Sequence, residues 1–374
     1  MQVDENTMLR VLGKACRVFL LEPNYPRKYP PLGLAKISTY LKTKGVDVVF
    51  GRAYNGEDCD LVCITSLFTF QSAKVLQAID QVLFRSPEKP ILLGGVLASL
   101  LPRFVDKARP SVMVFRGYSK ELDKCPPDYA VDSRLEEPWT KFSFVFTGRG
   151  CPNKCAYCAV WRIEPEMWIN PNWRMAIDPD KPYVMISDNN LSACDQSHIE
   201  DVVIYCAEHK KKVVFDNGFD CKHITPEMAK LLAKVKYTRR GMRLAFDRIE
   251  EDGVFQAAVE HLKANGVPKS QIMVYVLFNF RDTPEEAHYR MRECVRLGVR
   301  PYPQLYEPLN KLDRKTRHVG KHWNLGLLRQ FRHYWMMAGI YSKMTFEEYC
   351  DKESARTNSP PPKPTAPGLW AGNR

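Results

Sequence analysis

The chain of 374 residues lacks the features that mark several classes of protein. No apolar run approaches the roughly 18 residues that a transmembrane helix requires, and Met1–Arg10 is too polar for a signal peptide. The twelve cysteines are sparse for this length, so they do not indicate a disulfide framework. We therefore expect a cytoplasmic protein with reduced thiols and no membrane partner.

The composition is that of a globular protein. Hydrophobic residues make up 45% of the chain and charged residues 26%, which excludes wholesale disorder. At roughly 100–200 residues per domain, the length predicts two domains.

The first part of the chain, residues 1–115, alternates short apolar runs with amphipathic helical patterns. This alternation predicts a parallel sheet covered on both faces by helices, as in a Rossmann-like α/β domain. The predicted strands are Arg17–Leu21, Val46–Phe50, Leu61–Thr65 and Ile91–Gly95, and the predicted helices include Leu32–Leu41 and Gln71–Phe84.

Residues 116–141 break this pattern and predict a linker, after which the alternation resumes over residues 142–310. Six strand–helix units are too few for an eight-stranded barrel, so we expect a partial (β/α)6 barrel that stays open. The predicted strands are Phe142–Thr147, Tyr183–Ser187, Val213–Asp216, Met242–Phe246, Ile272–Phe278 and Tyr302–Tyr306. Residues 311–350 form a basic helical segment, and the proline-rich end, 351–374, predicts a disordered tail.

The positive charge is concentrated near the carboxyl end. Of the net charge of +12, a large part lies in residues 311–343, which hold eight lysines and arginines against one acidic residue. Aromatic residues are interleaved with these cations, as suits a polyanion such as nucleic acid. The alternative is a solvated basic helix whose aromatic residues pack into the core. The candidate nucleic-acid-binding residues are Lys311, Arg314, Lys315, Arg317, Lys321, Arg329 and Arg332.

The strongest local motif is Cys151-Pro-Asn-Lys-Cys155-Ala-Tyr-Cys158, which follows the first predicted barrel strand through a Gly-Arg-Gly loop. Three thiolates at this spacing can converge on one iron–sulfur cluster, leaving one iron of four open to another ligand. A structural zinc site is an alternative, with a fourth ligand from Cys194, Cys206, Cys221 or a histidine. A chance group of buried cysteines is a second alternative.

This motif, placed after the first strand of a partial barrel, resembles that of the radical S-adenosylmethionine (SAM) superfamily. Tyr157 stands where the family has an aromatic residue before the last cysteine. The resemblance implies a [4Fe-4S] cluster held by Cys151, Cys155 and Cys158, with SAM bound at the open iron. It also implies a reductant partner such as flavodoxin or ferredoxin.

Polar residues that follow the next barrel strands resemble the SAM-binding positions of this superfamily. The stretch Ile186-Ser-Asp188-Asn-Asn190-Leu resembles the part that binds the SAM amino group. Other positions resemble groups that face the carboxylate and ribose. The residues that the resemblance assigns to SAM are Tyr157, Asp188, Asn189, Asn190, Asp220, Arg243 and Asp247.

The amino-terminal part resembles the cobalamin-binding domains that are fused to some radical SAM barrels. The stretch Pro30-Pro-Leu-Gly-Leu-Ala-Lys-Ile-Ser-Thr-Tyr-Leu41 carries this resemblance. No histidine precedes His198, so the lower cobalt ligand of many such domains is missing. We expect that this domain does not bind cobalamin and serves as a scaffold or substrate platform. A cobalamin-dependent radical SAM C-methyltransferase, acting on a small molecule or peptide, is the alternative.

The whole plan, with a basic carboxyl-terminal segment, resembles bacteriophage radical SAM enzymes that hypermodify thymine in DNA. This resemblance implies an isomerase that converts an N-linked to a C-linked amino-acid substituent, such as glycine, on thymine. The catalytic residue itself is not identified, and a phage enzyme would act in the host cytoplasm. A non-catalytic nucleic-acid-binding protein with structural zinc is an alternative from another class.

Overall fold

A computed structural model describes residues 1–26, 30–132 and 135–357 of the chain. Helices and parallel strands alternate along it, so the predicted α/β class is confirmed. Within these ranges, no helix is both long enough and apolar enough to cross a membrane.

The amino-terminal part contains a six-stranded sheet with helices on both faces. Its strands are β1 (Gln2–Val3), β2 (Arg17–Leu21), β3 (Asp47–Gly51), β4 (Leu61–Ser66), β5 (Ile91–Gly95) and β6 (Met113–Phe115). Its helices are α1 (Glu5–Lys14), α2 (Leu32–Lys42), α3 (Ser72–Arg85), α4 (Val96–Leu100) and α5 (Pro102–Ala108). The sheet order is β1-β6-β5-β4-β2-β3, and every neighbouring pair is parallel. The chain adds β3 on one side of β2 and β4 on the other side, so the order of strand addition reverses between β2 and β4. Rossmann-like sheets bind ligands at such a switch point.

The strands of this sheet form because their apolar residues are continuous. A parallel sheet is covered on both faces, so a strand such as β4 needs no alternation of polar and apolar side chains. Val62 and Ile64 face one core, whereas Leu61 and Cys63 face the core on the opposite side of the sheet.

The rest of the chain contains two further parallel sheets and one short antiparallel ribbon. The strands are β7 (Phe142–Val145), β8 (Gly148–Arg149), β9 (Trp168–Ile169), β10 (Tyr183–Ile186), β11 (Lys212–Phe215), β12 (Lys236–Tyr237), β13 (Met242–Ala245), β14 (Ile272–Phe278) and β15 (Arg300–Leu305). The helices are α6 (Lys120–Asp123), α7 (Val160–Ile163), α8 (Gln196–Glu208), α9 (Pro226–Leu232), α10 (Val254–Ala264), α11 (Pro284–Arg296), α12 (Leu325–Met336), α13 (Ala338–Tyr341) and α14 (Phe346–Thr357).

The two sheets lie side by side, and the carboxyl ends of their strands lie on the same edge. One sheet has the order β12-β11-β10-β7 and the other has the order β13-β14-β15. A single parallel bridge between Phe219 and Leu244 connects them. Because all these pairs are parallel, the loops after β7, β10, β11, β13 and β14 emerge at the same edge.

The helix starts show why the sequence folds locally as it does. The hydroxyl of Thr283 accepts a hydrogen bond from the Glu286 amide, and the Glu286 carboxylate accepts one from the Thr283 amide. Pro284 occupies the first helical position, where no amide hydrogen is needed. This capping box fixes the start of α11, which packs against β14 and β15.

The aromatic residues of the basic segment belong to the core. Trp323, Phe331, Tyr334 and Trp335 are almost fully buried and join the main hydrophobic cluster of the two sheets. The interpretation that these rings stack on bases is therefore wrong, and the alternative, in which they pack into the core, is confirmed for them. The cations at Arg314, Lys315, Arg317, Lys321, Arg329 and Arg332 are exposed.

Two predicted boundaries need revision. The segment 116–141 includes α6 and buries Asp123 and Asp132, so it is a packed connection rather than a free linker. The tail predicted over residues 351–374 is wrong for its first seven residues, because α14 continues to Thr357. The remaining part of that prediction, residues 358–374, lies outside the described residues.

Candidate functional site

The three cysteines lie in an irregular loop directly after β8, at the edge where the parallel strands end. Strands β8 and β9 pair antiparallel and enclose this loop, which we call the cysteine loop (residues 150–167). The Cys158 amide donates to the Cys155 carbonyl at 3.0 Å, and the Val160 amide donates to the Cys158 sulfur at 3.5 Å. The last two cysteines are thus held on one turn.

The three thiols are unpaired and partly exposed. Burial raises the pKa of the Cys158 thiol, and the charges of Cys155 and Cys151 raise it further. Among the described residues, no three His, Cys, Asp or Glu side chains are grouped as ligands of one metal ion. In a four-iron cluster each thiolate binds its own iron, so the three thiols need not share one ion.

Two predicted site residues from neighbouring strand ends contact the cysteine loop directly. The Asn190 side-chain amide, after β10, donates to the Cys151 sulfur at 3.3 Å. Its carbonyl oxygen accepts from Ser192 at 2.7 Å, which turns the NH2 group toward the sulfur. After β11, the Asp220 carboxylate accepts from Asn153 at 2.9 Å.

A third strand end reaches the same loop through Asp247, which follows β13. The Tyr157 hydroxyl donates to the Asp247 carboxylate at 3.2 Å, and the Leu277 amide donates to its other oxygen at 3.0 Å. Burial raises the pKa of Asp247 to about 6, with a further contribution from the nearby Glu251 charge. The Tyr157 ring packs edge-on against Phe280, with ring centroids 5.6 Å apart.

Asp188 and Asn189 lie beneath the loop. The Asp188 carboxylate accepts hydrogen bonds from the Thr147 amide at 2.6 Å, the Thr147 hydroxyl and the Gly148 amide at 3.0 Å. Asn189 donates to the Glu164 carboxylate at 2.7 Å. In the structure these two residues position the loop, and binding of the SAM amino group by Asp188 stays a prediction.

A buried network of four charges, which sequence reasoning missed, ties the loop to the amino-terminal sheet. Arg149 donates to both oxygens of Asp123, at 2.6 and 2.9 Å, and to Glu164 at 2.9 Å. Lys36 of α2 donates to Asp123 at 2.5 Å. Burial alone would raise the pKa of Asp123, but the charges of Arg149 and Lys36 hold it below the usual value. We call these residues the buried charge network.

The network reaches the backbone of the cysteine loop through Glu164. The second oxygen of this carboxylate accepts from the Gly150 amide at 2.8 Å, directly before the first cysteine. Gly150 has a φ of +90°, and a Cβ atom there would lie 2.2 Å from the Glu166 carbonyl oxygen. Only glycine fits this close approach of two backbone segments.

A cavity of about 390 Å³ opens beside the loop. Its walls come from the cysteine loop and from the segments that follow β13 and β14, and they include Cys155, Tyr157, Asp247 and Phe280. Its size is that of a small-ligand pocket. This cavity is the candidate cofactor pocket.

Of the seven residues predicted to bind SAM, only Tyr157 and Asp247 line this cavity. Asp188, Asn189, Asn190 and Asp220 contact the cysteine loop or its base outside the cavity lining.

Arg243 lies away from both the cysteine loop and this cavity. Its guanidinium donates to the Tyr275 hydroxyl at 2.7 Å and pairs with Asp216. It lines a second cavity of about 760 Å³ together with Arg314, Arg317 and Arg332. Arg243, which was predicted to bind SAM, thus lies at the same cavity as three arginines that were predicted to bind nucleic acid.

The other cations of the basic segment do not line this cavity. Lys311 pairs with Glu307 at 2.7 Å and is largely covered. Lys315, Lys321 and Arg329 are exposed to solvent.

The residues that sequence reasoning missed carry weak local signals. Arg149 lies between two glycines just before the first cysteine, which marks a constrained turn but no partner. Arg290, fully buried in α11, donates to the carbonyls of Phe246, Asp247 and Leu277 and so joins the ends of β13 and β14. An arginine in an amphipathic helix gives no sign of such burial.

Comparison with protein-family models gives no match, and comparison with curated protein sequences gives none either. The functional interpretation therefore depends on the geometry of the cysteine loop and the two cavities.

The buried charge network yields a test of loop positioning. Arg149→Met leaves Asp123 and Glu164 without their guanidinium partner, so we expect a loss of about 3–5 kcal/mol in stability and faster hydrogen exchange across residues 148–158. Arg52→Met is the matched control, because Arg52 also joins two buried carboxylates, Glu22 and Asp132, away from the loop. Equal exchange in the loop of both variants would contradict a positioning role.

The close approach at Gly150 yields a second test. Alanine at a positive φ costs about 1–2 kcal/mol on its own, and Gly150→Ala adds the overlap with Glu166. Gly266→Ala is the matched control, because Gly266 has a φ of +94° and open space around it. We expect a clearly lower thermal midpoint for Gly150→Ala. Equal midpoints would show that the loop can shift without cost.

The buried Asp188 yields a pH dependence. Burial raises its pKa to about 7 against the opposing hydrogen bonds from Thr147, so the folded state keeps a proton that the unfolded state releases from about pH 4 upward. This contribution to stability is present below about pH 4 and is lost as the pH rises through about 7. When the pH is raised from about 5 to about 8, the free energy of unfolding in urea should fall less in Asp188→Asn than in the unchanged protein. Parallel curves would contradict the assignment.

Proposed function

We propose that this chain is a radical SAM enzyme that isomerises or otherwise modifies an amino-acid-substituted thymine in phage DNA. The observation that carries this proposal is a convergence of residues on the cysteine loop. Asp188, Asn190, Asp220 and Asp247, from the ends of three different strands, all contact the loop or its base. The resemblance, which uses the sequence alone, assigns these positions to one site.

The strand arrangement supports a partial barrel around this site. The strands that were predicted for it follow the spatial order β7-β10-β11 in one sheet and β13-β14-β15 in the other. The bridge between Phe219 and Leu244 and the hydrogen bond from the Phe215 amide to the Gly241 carbonyl connect the two groups. An open barrel of six strands has this order.

The donor set fits an iron–sulfur cluster. Cys151, Cys155 and Cys158 would hold it, because their thiols are unpaired, neighbouring and partly exposed. When bound, a [4Fe-4S] cluster and SAM supply a 5′-deoxyadenosyl radical that can abstract a hydrogen atom from the substrate.

The protein's own side chains orient and shield this site. Asn190 donates to the Cys151 sulfur, and hydrogen bonds to ligand sulfurs tune the redox potential of such centres. Asp247 holds the Tyr157 hydroxyl, and Phe280 covers the Tyr157 ring. These contacts hold the Tyr157 ring in one wall of the candidate cofactor pocket.

The exposed cations support a nucleic-acid substrate. Arg317 lines the second cavity, and Lys321 and Arg329 are exposed cations close in sequence to the start of α12.

The amino-terminal sheet is proposed to act without cobalamin. At the carboxyl ends of β2 and β4, the Tyr25 hydroxyl donates to the Thr65 carbonyl at 3.0 Å and accepts from the Leu67 amide at 3.3 Å. Tyr25 is 6% exposed, so its ring occupies part of the crevice where such sheets bind ligands. This arrangement favours a platform role over the cobalamin-dependent methyltransferase.

Removal of any one cluster ligand tests the proposal. Cys151→Ala, Cys155→Ala and Cys158→Ala should each abolish the release of 5′-deoxyadenosine from SAM under a low-potential reductant, because the cluster loses an attachment. Cys16→Ala is the control, since Cys16 is an exposed thiol of the amino-terminal part. Iron and sulfide content, measured after anaerobic reconstitution, should fall in the three variants alone. Undiminished deoxyadenosine release by a triple variant would refute the site.

A further inference from the structure

The second cavity is built by three separate parts of the chain. The inner wall consists of side chains of the three-stranded sheet, among them Arg243, Tyr275 and Tyr302. The segment after β15 and the helix α12 add Arg314, Arg317 and Arg332. The amino-terminal sheet adds Phe68, which lies in the loop that follows β4.

The contribution from the amino-terminal sheet is an exposed aromatic pair. Phe68 and Phe70 stack with ring centroids 5.0 Å apart and planes only 9° from parallel. Phe68 is 49% exposed, which is unusual for a phenylalanine that lines a cavity. The Arg314 guanidinium lies over the other ring, 3.7 Å from the centroid of Phe70. An exposed ring beside a guanidinium offers a stacking surface to a nucleobase.

The segment that carries the arginines is firmly attached on both sides of the cavity. The Ser72 hydroxyl donates to the Leu312 carbonyl at 2.8 Å, which holds the segment against the loop after β4. Asn279, fully buried with a φ of +72°, donates to the His318 carbonyl and accepts from the Gly320 amide. The cavity walls are therefore preorganised.

The charge balance of the cavity is positive. Four arginines line it against two carboxylates, Asp216 and Glu307, and both carboxylates already hold cations. Within the described ranges, Arg317 and Arg332 pair with no acidic side chain. The buried Nε of Arg243 likewise has no hydrogen-bond partner there. These donors match phosphate oxygens, which accept from guanidinium forks.

We propose that this cavity binds one nucleotide, with its phosphate held by Arg317 and Arg332 and its base stacked on Phe68. This inference rests on the proposed function and adds to it the site at which a nucleotide of the substrate binds. It also gives the amino-terminal sheet a direct part in substrate binding. The loop at the end of β4, where related sheets bind a ligand of their own, presents an aromatic surface to the neighbouring cavity.

The size of the cavity restricts how the nucleotide enters. About 760 Å³ lies within the range of pockets that enclose one small ligand, and it is far too small for a base-paired helix. A nucleotide within a DNA strand must therefore leave the base stack to enter.

The experiment measures binding of a fluorescent oligothymidylate and of thymidine monophosphate to the reconstituted full-length protein at several salt concentrations. Phe68→Ala and Arg332→Ala should each weaken binding about tenfold, since one base stack or one phosphate contact is lost. Arg332→Ala should also reduce the salt dependence, whereas Phe68→Ala should not. If an alanine variant fails to fold, a milder variant replaces it. Phe68→Leu keeps the apolar bulk but removes the ring, and Arg332→Lys keeps the charge but removes the planar guanidinium.

The matched controls are Phe84→Ala and Arg85→Ala. These residues form a second exposed phenylalanine–arginine pair, on α3, with the guanidinium 5.8 Å from the ring centroid and outside the cavity. We expect their variants to bind like the unchanged protein. Equal weakening by cavity and control variants, or no weakening by Phe68→Ala and Phe68→Leu, would overturn the proposal.

Two further measurements separate the possible sources of the ligand and the two proposals. Competition by thymidine monophosphate identifies a free nucleotide as sufficient, and competition by unlabelled oligothymidylate alone identifies a nucleotide within a strand. Inorganic phosphate should compete only weakly with the oligothymidylate. It should compete to the same extent in Phe68→Ala as in the unchanged protein, because it does not use the ring. Deoxyadenosine release without substrate, measured on the same samples, reports the cluster and SAM site independently. If the protein binds the nucleotide but releases no deoxyadenosine, the proposed radical chemistry is refuted and nucleotide binding in the second cavity is not.

Discussion

The buried charge network is the contact on which the arrangement of the site depends. Asp123 lies between Lys36 of the amino-terminal sheet and Arg149 at the base of the cysteine loop. Glu164, at the other end of the loop, joins Arg149 to the Gly150 amide. Removing one member would leave an uncompensated charge away from water, which is far more costly than losing a surface ion pair. The cysteine loop is thus held in place by residues from the amino-terminal part and from the rest of the chain.

Much of the fold could be predicted from the sequence because the signals are local. Continuous apolar runs such as Ile272–Phe278, which is short and rich in β-branched and aromatic residues, indicate buried strands, and the spacing of the cysteines is visible within eight residues. The ribbon of β8 and β9 escaped prediction because two-residue strands have no periodic pattern. The buried charge network escaped it because Lys36 and Asp123 are 87 positions apart, so their contact depends on the complete fold.

The basic segment shows where a sequence pattern is ambiguous. Lysines and arginines interleaved with aromatic residues indicate equally a nucleic-acid surface and an amphipathic helix. The helix α12 separates the two by its faces, since Phe331 and Trp335 enter the core while Arg329 and Arg332 face solvent. The rings are therefore core residues, whereas most of the cations are exposed and their binding to nucleic acid stays a prediction. The exposed ring that adjoins the cations, Phe68, comes instead from the other half of the chain.

The position of Lys36 has a consequence for how far the chain can be shortened. Its ammonium is nearly inaccessible and contributes half of the positive charge opposite Asp123 and Glu164. A fragment that began after the first sheet would expose the underside of the cysteine loop to water and leave the acidic pair in excess. The first sheet is therefore needed to support the cysteine loop, whether or not that sheet binds a ligand of its own.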